Sequence, residues 1–301
     1  MNKQLFNFID YLESKKTVDD RALNRVVLKK MCDYLYEVTK EKSLHIVEMA
    51  AGIGTMLERL IDWDLLPSTT YTMVDVSEEY IFRAKERIQI WAKRKNVDFT
   101  ERNEKFILKK RDKKFEIDFC VADATRFFSR TSKKYDLVIA HAFLDLVDTE
   151  ELLPFLFGAL NDKGAFYFSI NFDGETIFLP QISANLDQKI VYDYHRVMDE
   201  QQIKGKSVSG TNVGRNLFSY IHNAGGEIME AGSSDWTVFP SGNRYSHREN
   251  YFLHCIIDTV SQTLKNQINY NIDSWIAARH DQIKNGELVY IAHQLDFFGT
   301  V

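Results

Sequence analysis

Apolar and polar positions repeat with two different periods along the chain, and the period changes near residue 43. Before this point, apolar residues recur every three or four positions, which predicts a helical cap over 1–42 with a second helix from Asp19 to Val38. After it, short apolar runs alternate with helical stretches, as in a parallel, doubly wound α/β sheet. The predicted strands are 45–49, 71–74, 115–122, 135–141, 164–170, 227–231 and a last strand within 287–297.

Two segments interrupt the alternation within the main domain, residues 43–301. Residues 97–114 are rich in charge and predict a β-hairpin ahead of the third strand. Residues 172–211 are too long for a simple connection and include an aromatic, acidic helix. Long connections in compact domains tend to be functional, so we expect 172–211 to form a lid. An inert surface insertion is the alternative that the pattern leaves open.

The composition is that of a globular protein without a specialised partner. The 301 residues carry a net charge of -5, whereas a dedicated nucleic-acid binder usually has a basic surplus. Three cysteines stand far apart without paired spacing, so we expect a reducing, cytoplasmic setting and no zinc site. No signal-like block begins the chain, and no stretch approaches the roughly 18 apolar residues of a membrane span. We therefore expect neither a membrane nor a nucleic acid as the partner.

The segment from His45 to Leu57 joins an apolar strand to a helix through a turn of very small residues. Ala50, Gly52 and Gly54 allow a tight turn whose backbone can approach another molecule closely. A strand, such a turn and a helix N-terminus together predict a site for a nucleotide-like ligand. Leu57 stands where a dinucleotide-binding turn has its third glycine, and no Gly-Lys-Ser/Thr follows. Neither a dinucleotide motif nor a phosphate loop is therefore present.

Acidic residues mark the ends of neighbouring strands. Glu48 precedes the small-residue turn. Asp75 ends the second strand, where a carboxylate can accept hydrogen bonds from the two hydroxyls of a ribose. Asp123 follows the third strand and is placed to meet an adenine amino group.

Taken in order, these stretches between about residues 43 and 171 resemble the motifs of class I S-adenosylmethionine-dependent methyltransferases. The resemblance implies a Rossmann-like, doubly wound, seven-stranded sheet with an antiparallel last strand, and S-adenosylmethionine as cofactor. The implied cofactor-binding residues are Glu48, Ala50, Gly52, Gly54, Asp75, Val76, Asp123, Ala124, His141 and Phe143. Ala50 departs from the usual motif, which has glycine there. The C-terminal half resembles parts of bacterial small-molecule methyltransferases, which implies no particular substrate.

Methyl transfer from a sulfonium depends mainly on alignment, and it needs a general base only when the acceptor is protonated. His141 is our first candidate for this base because imidazole titrates near neutral pH, and His195 in the predicted lid is the second. Asp145, Tyr194 and Arg196 are our candidates for binding the acceptor. Asp145 could equally cap the next helix. We expect no metal site.

The stretch after the fourth strand also bears on the acceptor. It reads His141-Ala142-Phe143-Leu144 and lacks the Asn/Asp-Pro-Pro-aromatic signature of enzymes that methylate exocyclic amines of bases. Basic residues of the hairpin could touch RNA phosphates, but acidic residues are interleaved with them. The sequence therefore favours a methyltransferase with a small-molecule acceptor. The alternative is an RNA- or protein-directed methyltransferase, or a catalytically silent S-adenosylmethionine-binding partner.

Overall fold

The computed structural model describes residues 6–38, 43–200, 202, 203 and 206–301, with the backbone alone at 202, 203, 206 and 207. Residues 1–5 and 39–42 of the predicted cap, and 201, 204 and 205 of the predicted lid, lie outside this set. The helices are α1 Phe8–Ala22, α2 Arg25–Val38, α3 Thr55–Asp62, α4 Glu78–Arg94, α5 Ala124–Arg130, α6 Thr149–Gly158, α7 Ala184–Asp199, α8 Val213–Asn223, α9 Glu249–Leu264 and α10 Asp273–Asn285. The strands are β1 Leu44–Met49, β2 Thr69–Asp75, β3 Asp98–Arg102, β4 Lys105–Lys110, β5 Lys113–Val121, β6 Tyr135–His141, β7 Leu160–Leu179, β8 Gln202–Ile203, β9 Lys206–Ser207, β10 Glu227–Ser233, β11 Trp236–Val238 and β12 Val289–Thr300.

The described strands other than β8 and β9 form one mixed sheet. Its order is β10-β12-β7-β6-β1-β2-β5-β4-β3, with β11 beside β12. From β7 to β5 all neighbours are parallel, whereas β12 is antiparallel to both β7 and β10. The stretch from β10 to β5 is therefore the seven-stranded core, and the predicted Rossmann-like fold with an antiparallel last strand is confirmed. β3 and β4 extend its far edge as an antiparallel hairpin.

Helices cover both faces of this core, because strands in a parallel sheet are apolar on both sides. On one face, α2, α3 and α4 bury residues such as Met31, Leu60 and Ile88 against the sheet. On the other, α5, α6 and α8 contribute residues such as Leu153 and Leu217. None of these helices, nor any other within the described ranges, is long and apolar enough to cross a membrane.

β7 is much longer than the predicted strand 164–170. Its second half leaves the parallel core and pairs with the start of β12, with Phe178 opposite Tyr290. The helices α7, α9 and α10 pack on this protruding ribbon around a third apolar cluster that includes Phe252 and Trp275. Residues 172–179 are therefore strand, where the sequence predicted the beginning of a long insertion.

The predicted boundary of the second helix was wrong. α1 continues to Ala22 and α2 begins at Arg25, so Asp19 belongs to the first helix. Leu23 adopts an extended conformation, and the side chain of Asn24 accepts hydrogen bonds from the amides of the first turn of α2. The two helices are separated at Asn24, which caps α2, and no glycine or proline marks the boundary. An asparagine alone is a weaker sequence signal for a helix boundary than glycine or proline.

Candidate functional site

The carboxyl ends of β6, β1, β2 and β5 lie side by side, which brings the predicted cofactor positions to one edge of the sheet. The backbone ties the ends together: the amide of Ala51 donates to the carbonyl of Val74 at 3.0 Å, and that of Ala122 donates to the carbonyl of Asp75 at 2.9 Å. In open α/β sheets such an edge is where ligands bind.

The small-residue turn after β1 has the left-handed backbone that its sequence suggests. Positive φ angles occur at Ala50 (48°), Gly52 (53°) and Gly54 (81°). Glycine accepts this region freely, whereas an alanine is strained there, so the Ala50 departure has a conformational cost. A Cβ added at Gly52 would lie 3.5 Å from Leu12, because α1 passes directly over the turn.

Asp75 holds the turn from the neighbouring strand. Its Oδ2 accepts from the amide of Gly52 and its Oδ1 from that of Ser77, both at 2.9 Å. Each oxygen keeps a lone pair for a further donor. Burial raises the pKa of Asp75, and hydrogen bonds from backbone amides oppose that rise. Val76 beside it is 65% exposed, an apolar surface open to a flat ligand.

Glu48 lies beneath the turn, in the interior. Its Oε2 accepts from the hydroxyl of Tyr71 at 2.9 Å, and burial raises the pKa of Glu48 to about 8. The carboxyl group is therefore protonated at neutral pH, where it adds no charge to the turn.

Asp123 and Ala124 start the short helix α5. The side chain of Asp123 caps this helix by accepting from the amide of Arg126 at 3.2 Å. Asp123 also borders an open groove of about 460 Å³ that runs between the end of β5 and α5.

His141 ends β6 and has a partner at each ring nitrogen. Its Nε2 lies 3.0 Å from Oδ2 of Asp19, and its Nδ1 lies 2.9 Å from the hydroxyl of Ser169. An ionised carboxylate only accepts, so Nε2 donates to Asp19 and Nδ1 accepts from Ser169. Burial lowers the pKa of His141 to about 4, although Asp19 opposes this change. The ring is neutral at pH 7 and has no unpaired nitrogen.

Asp19 links four side chains at the site. Lys15 donates to it at 2.8 Å and the indole of Trp236 at 2.9 Å, and Arg59 lies 3.9 Å away. Burial disfavours the ionised form of Asp19, but Lys15 and His141 hold its pKa well below the usual range.

Sequence reasoning missed Lys15 and Asp19. They continue the same helical stripe as Phe8 and Leu12, at intervals of three or four residues. Charged residues on the buried stripe of a helix are the signal that would have found them.

Asp145 and Phe143 follow β6 at the rim of the site. Phe143 packs against the apolar cluster under α6. Asp145 does not cap that helix, because Asp148 does so by accepting from the amide of Glu151. Burial raises the pKa of Asp145 to about 6. Burial, and to a smaller extent the charge of Asp145, raises the pKa of Tyr194 to about 12.

The other two candidates on α7 face elsewhere. His195 lies 2.9 Å from the hydroxyl of Thr176 on β7. Arg196 is paired with Glu200 at 3.0 Å. Successive helical residues are about 100° apart, so Tyr194, His195 and Arg196 cannot share one face. Within the described ranges, no group of three or more His, Cys, Asp or Glu is arranged to hold a metal ion.

No protein-family model matches the chain, and neither does any curated protein sequence. Among solved structures, it is similar to one assigned as a type II methyltransferase from Anaeromyxobacter dehalogenans, with 11% identity, 92% of this chain and 96% of the other covered, and a TM-score of 0.51. It is also similar to the magnesium protoporphyrin IX methyltransferase ChlM from Synechocystis PCC 6803 (12% identity, 98% and 90% covered, TM-score 0.43). The first likeness shows the fold: the chain has the α/β fold of the Anaeromyxobacter structure.

Proposed function

We propose that the protein is an S-adenosylmethionine-dependent methyltransferase that acts on a small-molecule acceptor. The observation that carries the proposal is Asp75 beside the positive-φ turn. Both of its oxygens accept a backbone amide and still have lone pairs for two ribose hydroxyls. Val76, exposed next to it, suits the flat face of an adenine, with Asp123 and Ala124 on the neighbouring strand end.

In this proposal, the cofactor supplies an electrophilic methyl group on a positively charged sulfur. The residues of the chain bind and align it: the turn from Glu48 to Gly54 takes the methionine half, and His141 to Phe143 face the methyl group. Alignment alone contributes several kcal/mol to such a reaction. His141 is our candidate for taking a proton from the acceptor, with His195 second. For His141 to do so, Ser169 must release its Nδ1.

The alternative, an RNA-directed enzyme that binds through the charged hairpin, has less support. Of its basic residues, Lys110, Arg111, Lys113 and Lys114 each lie within 4.0 Å of a carboxylate oxygen. Paired lysines and arginines release fewer counterions from a phosphate backbone, so they contribute less to its binding.

Isothermal titration with S-adenosylhomocysteine, the demethylated cofactor, tests the proposal. We expect Asp75→Ala to weaken binding about 10- to 100-fold, because a charged acceptor of two hydrogen bonds is lost. Gly52→Val should weaken it as well, since a branched residue is strained at φ 53°. Asp162→Asn is the control, because this exposed carboxylate lies at the opposite end of β7.

Unchanged affinity in both folded variants would contradict the assignment of the site. In a separate experiment, a screen of small-molecule extracts with methyl-labelled S-adenosylmethionine would identify the acceptor directly. Transfer of the label to RNA or protein, and to no small molecule, would favour the alternative.

A further inference from the structure

Asp145 is a carboxylate without a partner at the candidate site. Its Oδ1 is buried and has no hydrogen-bond partner. Glu58 also has a buried oxygen without a hydrogen bond, but that oxygen lies 2.7 Å from Nε of Arg87 in an ion pair. A buried carboxylate oxygen is costly without a donor. A ligand that brings a donor would remove this cost.

Within the described ranges, no cationic side chain is paired with Asp145. Lys15 is the cation that acts on it, and Lys15 is already paired with Asp19 at 2.8 Å. Arg59 lies 2.6 Å from Asp20, which Lys16 also contacts at 2.7 Å. His141 is neutral at pH 7. In the part of the chain that the structure describes, Asp145 therefore has no ion-pair partner of its own, and a cationic ligand would supply one.

Aromatic side chains border the candidate site. The indole of Trp236 donates to Asp19, which also accepts from His141 at the end of β6. Trp236 stands edge-on to Phe252 at 5.4 Å, on which Tyr11 stacks at 5.8 Å. Tyr11, Tyr194 and Trp236 are each partly exposed and pack against the third apolar cluster, and the ammonium of Lys15 lies 5.2 Å from the centre of the Trp236 ring. Aromatic faces attract ammonium groups.

We propose that the methyl acceptor is a small amine, which Asp145 holds as its ammonium beside the rings of Tyr11 and Tyr194. This inference rests on the proposed methyltransferase function. The ammonium passes one proton to the carboxylate of Asp145, which for an amine acceptor replaces His141 as the base and later releases the proton to solvent. The freed nitrogen lone pair then forms the bond to the methyl carbon while the carbon–sulfur bond breaks, and that electron pair stays on sulfur as a neutral thioether. The product leaves as a methylated ammonium.

The test uses three probes of nearly equal shape and different charge: 2-phenylethylamine, 2-phenylethanol and 3-phenylpropanoate. Each is titrated calorimetrically into the protein saturated with S-adenosylhomocysteine. We expect the amine to bind about 10- to 100-fold more tightly than the alcohol, since its hydrogen bond joins two charged groups. Asp145→Asn should remove this advantage. Asp162→Asn, which removes an exposed carboxylate elsewhere, should keep it.

Other outcomes overturn the inference in distinguishable ways. If S-adenosylhomocysteine binds but the alcohol or the carboxylate binds as well as the amine, or none of the three binds, the amine is wrong and the proposed function stands. If Asp145→Asn weakens the cofactor product and leaves the amine preference, Asp145 serves the cofactor. If wild-type protein does not bind S-adenosylhomocysteine at all, the proposed function and this inference both fail.

Discussion

The helices α1 and α7 both bring side chains to the candidate site, but they are attached to different parts of the molecule. α1 is fixed to the sheet and the helices beside the turn: Asp19 binds His141 and Asp20 binds Arg59 of α3. α7 is fixed to the outer layer, because Asp187 accepts from Trp275 and Arg279 of α10. The two helices therefore have different polar anchors on the sheet and on α10, although both also pack in the third apolar cluster, α1 through Val18 and α7 through Ile190.

Breaking the anchor of α7 should have the largest effect. Asp187→Ala removes the partner of Arg279, whose side chain is fully buried, and leaves that charge unpaired. We expect a loss of about 3–5 kcal/mol in the free energy of unfolding, measured by chemical denaturation. Glu200→Ala, which removes an exposed ion pair of the same helix, should cost less than about 0.5 kcal/mol. Equal losses in the two variants would show that the Asp187 anchor is unimportant.

The pH dependence of stability should report on His141, through which the sheet contacts α1. Burial keeps His141 neutral in the folded protein by lowering its pKa from 6.5 to about 4. The unfolded chain takes up that proton below about pH 6.5, so stability should fall by about 3 kcal/mol as the pH drops from 6.5 to 4. His141→Asn should remove this part of the dependence, and replacing the exposed His45 by Asn should keep it. A slope unchanged by His141→Asn would contradict a buried, neutral imidazole.

A smaller effect is expected when the anchor of α1 is weakened. Asp19→Asn removes the charge that Lys15 and His141 share, at a cost of about 2 kcal/mol. Hydrogen exchange should then become faster in α1 and change little in α7, because α7 keeps its own hydrogen bonds to α10. Asp33→Asn, in an exposed pair of α2, is the control. Faster exchange in both helices would mean that they form one unit.

The strand ends at the candidate site could be predicted from local sequence, whereas the contacts that α1 makes with them could not. β6 has the predicted bounds, Tyr135–His141, because its apolar run and its neighbours are contiguous in the chain. The turn at Ala50–Gly54 and its neighbour Asp75 also follow from short motifs. By contrast, the contact between Asp19 and His141 joins residues 122 positions apart, and no local period encodes it.

The second half of β7, which pairs with the start of β12, likewise depends on a contact between distant parts of the sequence. Residues 172–179 were interpreted as the start of an insertion because their strand character depends on pairing with Val289–Ala292, more than a hundred residues later. The positive φ of Ala50 also depends on context, since alanine alone does not favour it. Whether 172–211 acts as a lid stays a prediction.

Strand β12 determines when the protein can complete its folding during synthesis. Its residues complete all three apolar clusters: Phe298 the first, Phe297 the second and Tyr290 the third. A nascent chain still lacking β12 on the ribosome has an open edge along β7 and three unfinished cores. Such an edge invites pairing with other chains. Folding of the sheet is therefore completed only after β12 has left the ribosome, and the apolar surface of all three clusters stays incompletely covered until then.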